Sequence, residues 1–341
     1  MMNTGMRRGR LIIILVILFT GGLSLSGYQM WTPGKIIYDG SHDLARNGIW
    51  LQHGWLGDDE WFDRNNKVTR KSSFRNAANM RQLAAHLQKH NITDVFPHLC
   101  PATPEGYIPP VDESQTELFL QIFTGFRVMP WVGGVTGVQA FPANPAWREN
   151  FTRSISDLLR RYPQFAGIHI NIEPCRSGNI DYVTLLQEVR KSLPRGKIVS
   201  IAAYPPPTLW HPFADVHWDK DYYQQVARCA DQVVVMLYDT AIRFQKVYQY
   251  VIKSWTHDVL EWSGPASVLL GVPAYKDENA GYHLPAVENL ANALPGIHAG
   301  LRTYPALPRN YQGIAVYCEW EMDEDEWRFL REHFLKPHTE S

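Results

Sequence analysis

The sequence predicts an α/β chain folded as a single eight-stranded parallel β/α barrel. Three observations predict it. Short runs rich in Val, Ile and aromatic residues alternate eight times with amphipathic helical patterns. One central run carries polar residues on the face that would point into such a barrel. Long connections follow several of the β-type runs, where barrel proteins build their function.

The β-type runs fall at 48–53, 94–98, 127–132, 167–172, 197–203, 232–237, 267–273 and 313–317. Near-continuous apolar character suits parallel strands buried on both faces. Helical patterns fall between them at 73–90, 113–124, 146–162, 181–192, 221–230, 242–262 and 285–299, with the last at 324–334. Periodicity is plain where Phe151, Ile155, Leu158 and Leu159 recur at steps of three and four. The long connections are 54–72, 100–112 and 204–220. A doubly wound sheet competes with the barrel, but neither GxGxxG nor GxxxxGKS/T occurs to serve its usual phosphate chemistry.

The chain of 341 residues is 45% hydrophobic and 20% charged, which is ordinary globular composition. Its 33 basic residues balance 34 acidic ones, so no basic excess exists for nucleic acid. Arg7, Arg8 and Arg10 precede an uncharged stretch at 11–27, the pattern of an export signal or membrane anchor. The division expected is therefore a signal or tether at 1–27, a linker at 28–45, a barrel at 46–337 and a tail at 338–341. The protein is expected to be secreted, periplasmic or held to the membrane. Cys100, Cys175, Cys229 and Cys318 show no CxxC spacing. Export permits a bridge or two among them, and free buried thiols are the plain alternative.

The run from 165 to 174 reads Phe-Ala-Gly-Ile-His-Ile-Asn-Ile-Glu-Pro. Alternation puts His169, Asn171 and Glu173 on the inner face and Ile168, Ile170 and Ile172 against the helices. Three inward polar side chains are costly without partners. They mark either a site or a satisfied interior hydrogen-bond network.

This run resembles the fourth-strand DGxDxDxE motif of family 18 glycoside hydrolases. Gly167 and Glu173 are kept; Ala166, His169 and Asn171 replace the three Asp. Residues 127–134 are similar to the family's third-strand SxGG pattern, with Trp131 for Ser. Met236-Leu237-Tyr238-Asp239 matches MxYD, and 270–275 resembles GxPxY. The eighth strand's tryptophan corresponds to Tyr317. The resemblance implies substrate-assisted, retaining hydrolysis of an N-acetylglucosamine glycan such as chitin or peptidoglycan, with no metal or cofactor. Glu173 would be the general acid and base, and Asn171, Tyr238 and Asp239 would hold the reacting sugar. Family 85 endoglycosidases use an Asn–Glu pair for such chemistry, so Asn171 is compatible with it. His169, Trp131, Tyr204, Tyr275, Tyr317 and Trp320 are the expected sugar-contacting residues.

Three other functions fit the same residues. Altered DxDxE motifs also occur in lectin-like members of the family, which bind glycan without cleaving it. His53, His98 and His169 lie near strand ends and could hold a catalytic zinc. Glu319 or Glu321 could pair with Glu173 as a two-carboxylate glycosidase.

Overall fold

The structure, a computed structural model, describes residues 26–277 and 282–336. Strands β1 (Asn47–Leu51), β2 (Ile92–Pro97), β3 (Arg127–Val128), β4 (Trp131–Val135), β5 (Gly167–Glu173), β6 (Ile198–Ala203), β7 (Gln232–Met236), β8 (Ser267–Pro273) and β9 (Tyr311–Tyr317) form one parallel sheet. Their order is β3-β2-β1-β9-β8-β7-β6-β5-β4. The two end strands are neighbours in the chain, separated only by Met129 and Pro130.

Proline has no N–H to offer a ladder, so the run expected at 127–132 appears as two pieces. On one side the broken run meets β2 and the residues just after it, where Met129 N donates to Val95 O at 3.0 Å and Leu99 N to Trp131 O at 2.8 Å. The other side faces β5, where Ala166 N donates to Val128 O and His169 N to Pro130 O, both at 2.9 Å. The sheet therefore curls round on itself, consistent with a TIM-like barrel.

Eight longer helices among the described residues cover it: α1 (Ala77–Lys89), α2 (Glu113–Ile122), α3 (Pro145–Arg161), α4 (Ile180–Ser192), α5 (Lys220–Ala227), α6 (Gln245–Trp262), α7 (Leu290–Leu301) and α8 (Glu324–His333). Local chemistry starts most of them. Asn76, Asp112, Asn144, Asn179, Asp219, Asn289 and Asp323 each accept a backbone N–H of the first turn with their side chains. Asn289 starts α7 five residues later than the apolar pattern at 285–299 suggests. The connection at 54–72 holds a helix, Asp59–Arg64, that its polar sequence does not announce.

Two apolar layers result. Ile168, Ile170 and Ile172 join the larger core between sheet and helices. Trp50, Phe96, Met129, Val234, Leu269 and Ala315 fill the inside. Trp131 and Tyr317 lie above that filling and leave the strand C-termini as the open mouth.

The stretch 28–45 lies along the barrel: Lys35 N donates to Pro295 O at 2.8 Å, and buried Asp43 accepts from Asn47, Asn91 and Lys336. All four cysteines are buried free thiols. The segment expected as a signal or tether lies outside the described residues up to position 25, as does the tail at 338–341. Among the described residues, no helix is long and apolar enough to cross a membrane.

Candidate active site

The inward residues of β5 divide into two functions. His169 is fully buried at the level of Trp50 and Phe96. The Trp50 indole N–H can only donate, so His169 Nε2 accepts it, at 3.2 Å. Its Nδ1–H then donates to Ser200 Oγ at 2.8 Å. Ser200 passes the bond to Gln232 Oε1 at 2.7 Å, and Gln232 Nε2 donates to Asp94 Oδ2 at 2.6 Å. Arg127 closes the chain with two bonds of 2.6 Å to Asp94. Burial pushes the His169 imidazole down to about 3, so it is neutral. Both its nitrogens are committed below the mouth, and no atom of His169 is left to contact a sugar. This is the satisfied interior network.

Asn171 and Glu173 stand at the mouth itself. Asn171 Nδ2 donates to Glu173 Oε1 at 2.7 Å, and Tyr204 on the β6 side donates its hydroxyl to Oε2 at 3.1 Å. Burial pushes the Glu173 carboxyl above its ordinary value, against the opposing effect of those two bonds. Asn171 spends its N–H on Glu173 and keeps its carbonyl oxygen as an acceptor. Their approach to β4 depends on Gly133, which has φ +141°; a Cβ there would sit 1.8 Å from Asn171 O.

Across the mouth, Tyr238 stacks on Tyr317 with centroids 5.3 Å apart, and its hydroxyl has no hydrogen-bond partner among the described residues. Asp239 follows in the left-handed region at φ +59°, a conformation that Asp tolerates better than most residues. It accepts the Tyr275 hydroxyl. Burial, opposed by that bond, pushes Asp239 up to about 6. Three adjoining hollows meet at Glu173: one toward Tyr204, His211 and Tyr282, one toward Trp131 and Gln139, one toward Tyr275 and Tyr317.

The other expected residues divide between wall and support. Trp131 and Tyr317 line the cavity. Tyr204 and Tyr275 do both: largely buried, they line the hollows and use their hydroxyls to hold carboxylates. Trp320 packs behind Tyr317, outside the lining. Sequence reading missed the lip, where Phe213 and Tyr282 stack with centroids 5.4 Å apart. It also missed His283 and Glu288, buried beneath Asp239 and 3.7 Å apart. An isolated His and Glu in a loop give no sequence signal.

Two of the alternative constellations do not assemble at Glu173. His53 and His98 rings touch, with centroids 3.7 Å apart, but His169 is occupied in the interior. Neither Glu319 nor Glu321 lines the hollows around Glu173, and Glu321 accepts the Lys276 N–H at 2.8 Å.

The model of the Glycosyl hydrolases family 18 matches residues 113–321, more than half of the chain. The chain belongs to that family. None of the curated proteins compared with it matches. Among solved structures, the Bacillus cereus spore cortex-lytic enzyme SleL superposes with a TM-score of 0.55 at 14% identity, over 85% of this chain and 74% of that one. A chitinase from Bacteroides thetaiotaomicron gives 0.54 at 11% identity, over 87% and 98%. A class V chitinase from Pseudomonas fluorescens Pf-5 gives 0.52 at 14%, over 74% and 96%. Likeness at these identities speaks for the fold. Within family 18, the matched segment carries Glu173, Asn171, Tyr238 and Asp239.

Proposed function

We propose that this chain hydrolyses a glycan containing N-acetylglucosamine by a substrate-assisted, retaining mechanism. The observation that carries it is Glu173: a carboxyl at the mouth, raised by burial and positioned by Asn171 and Tyr204. A carboxylic acid kept neutral near working pH can donate a proton to a glycosidic oxygen. As it does so, the bond from that oxygen to the anomeric carbon breaks, and the sugar's own acetamide oxygen bonds to that carbon. The oxazolinium formed is opened by water, whose proton returns to Glu173. The free carbonyl oxygen of Asn171 would accept the acetamide N–H, and the unpartnered Tyr238 hydroxyl would donate to the acetamide oxygen. Asp239 would contact the sugar beside it. Two chitinases and a spore cortex-lytic enzyme share the fold, which is consistent with such a substrate.

A binding protein without turnover is the second reading, and one observation favours it. Neutral His169 and Asn171 stand where the family motif has acids, so the oxazolinium would lack their charge. Donors or charges aimed at a transition state are each worth ~3–4 kcal/mol elsewhere.

A chromogenic chitobioside separates the two. Hydrolysis with a retained anomer, lost ~100–10,000-fold in Glu173→Gln while oligosaccharide affinity persists, is the expected result. Chitooligosaccharide binding with no turnover by the wild-type chain would select the lectin-like function. Equal turnover in Glu173→Gln would end the proposed mechanism.

A further inference from the structure

The polar cluster beneath Asp239 has a chemistry that the hydrolysis does not use. His283 Nε2 lies 2.9 Å from the Tyr275 carbonyl oxygen, which can only accept, so Nε2 carries the ring proton. Nδ1 presents a lone pair whenever the ring is neutral. It points between Asp239 Oδ1 and Glu288 Oε2, each 3.7 Å away, and has no hydrogen-bond partner. With the ring neutral, three acceptors face one another. His283 is 1% exposed and Glu288 fully buried, and no lysine or arginine pairs with either carboxylate among the described residues. A buried polar atom left without a partner is costly, so the gap between these three groups asks for an occupant.

We propose that Asp239 Oδ1, His283 Nδ1 and Glu288 Oε2 bind a divalent transition-metal cation, with zinc the best match to this ligand set. The three atoms lie within 4.8 Å of one another, and among the described residues no other such group of three converges. Zinc bonds of ~2.1 Å in a tetrahedron separate ligand atoms by about 3.4 Å, close to the two 3.7 Å spacings. Imidazole and carboxylate are ordinary zinc ligands.

The surroundings also have the form of a metal site. The histidine's far nitrogen donates to a backbone carbonyl, Tyr275 donates to Asp239, and Thr240 N donates to both oxygens of Glu288. Such outer bonds fix the tautomer and the angle of metal ligands. Asp239 is the exposed member at the cavity wall, so the fourth coordination position opens toward the mouth. A divalent charge there would neutralise the two carboxylates and tie the segment bearing His283 and Glu288 to the ends of β7 and β8.

The test is direct metal binding to the intact chain, freed of metal by chelator and titrated with zinc chloride in a calorimeter. A stoichiometric site is expected, weakened more than about tenfold in His283→Gln and in Glu288→Gln. It should be kept in Glu173→Gln, which separates this inference from the glycosidase proposal. Crystals soaked in zinc chloride would show an anomalous peak between the three atoms, a readout that survives if the variants fail to fold. Absence of stoichiometric binding, or a peak elsewhere with none here, would overturn the site. The gap would then belong to a proton on His283.

Discussion

Asn171 decides the electrostatics at the acid. Its amide lies 2.7 Å from Glu173 Oε1, and an aspartate in its place would set a second negative charge against that carboxyl. Like charges at that distance raise the more buried acid further. Asn171→Asp should therefore keep Glu173 protonated to higher pH and move the alkaline limb of the kcat profile upward. Substrate-concentration series across pH would show it, and an unmoved or lowered limb would contradict the geometry. Glu319 makes a separate residue-scale case. Its Oε2 is buried without a partner, and burial pushes its carboxyl from 4.5 up to about 7. Between those values the folded chain holds a proton that the unfolded chain has released, so stability falls as pH rises through that window. Glu319→Gln removes this dependence. Its Tm should exceed that of the wild type by several degrees at pH 8, with a smaller difference at pH 5.

At the scale of elements, the approach of β4 to β5 rests on one missing side chain. Gly133→Ala would place a Cβ 1.8 Å from Asn171 O at φ +141°. Backbone must move, at a cost of ~3 kcal/mol read from the urea midpoint, and Asn171 and Glu173 would shift with it. Helix starts are more forgiving. Asp323 caps α8 in a reciprocal box with Glu326, and Asp323→Ala should cost ~1 kcal/mol in the same assay. Both features differ in how far the sequence displays them. An Asp three residues before a Glu is a local pattern that announces a helix start. Gly133 looks like any glycine until the neighbouring strand is in place.

The whole molecule is closed across its interior by the chain from Trp50 through His169, Ser200, Gln232 and Asp94 to Arg127, drawn from six strands. Arg127→Leu would leave Asp94 buried beside no cation. Arg127 is itself part-exposed, so the loss should be ~2–3 kcal/mol, below that of a fully buried pair. An urea midpoint unchanged by the substitution would show that the network does not brace the sheet.

The eight-fold alternation was legible because strand and helix periods are local properties of the chain, and seven helices begin on side chains that cap them locally. Glu173, Asn171, Tyr238 and Asp239 were singled out by spacing and motif, and the fold gathers them round one hollow. What the sequence by itself determined was thus which residues of the central strand face inward and roughly where most strands lie. The tertiary structure decided what they touch: that His169 belongs to the interior network, that Tyr204 and Tyr275 hold carboxylates, and that His283 and Glu288 meet under Asp239. Those contacts join residues 31 to 138 positions apart as well as near ones. A side chain's direction follows from its own backbone, but its partner is chosen only when the sheet closes.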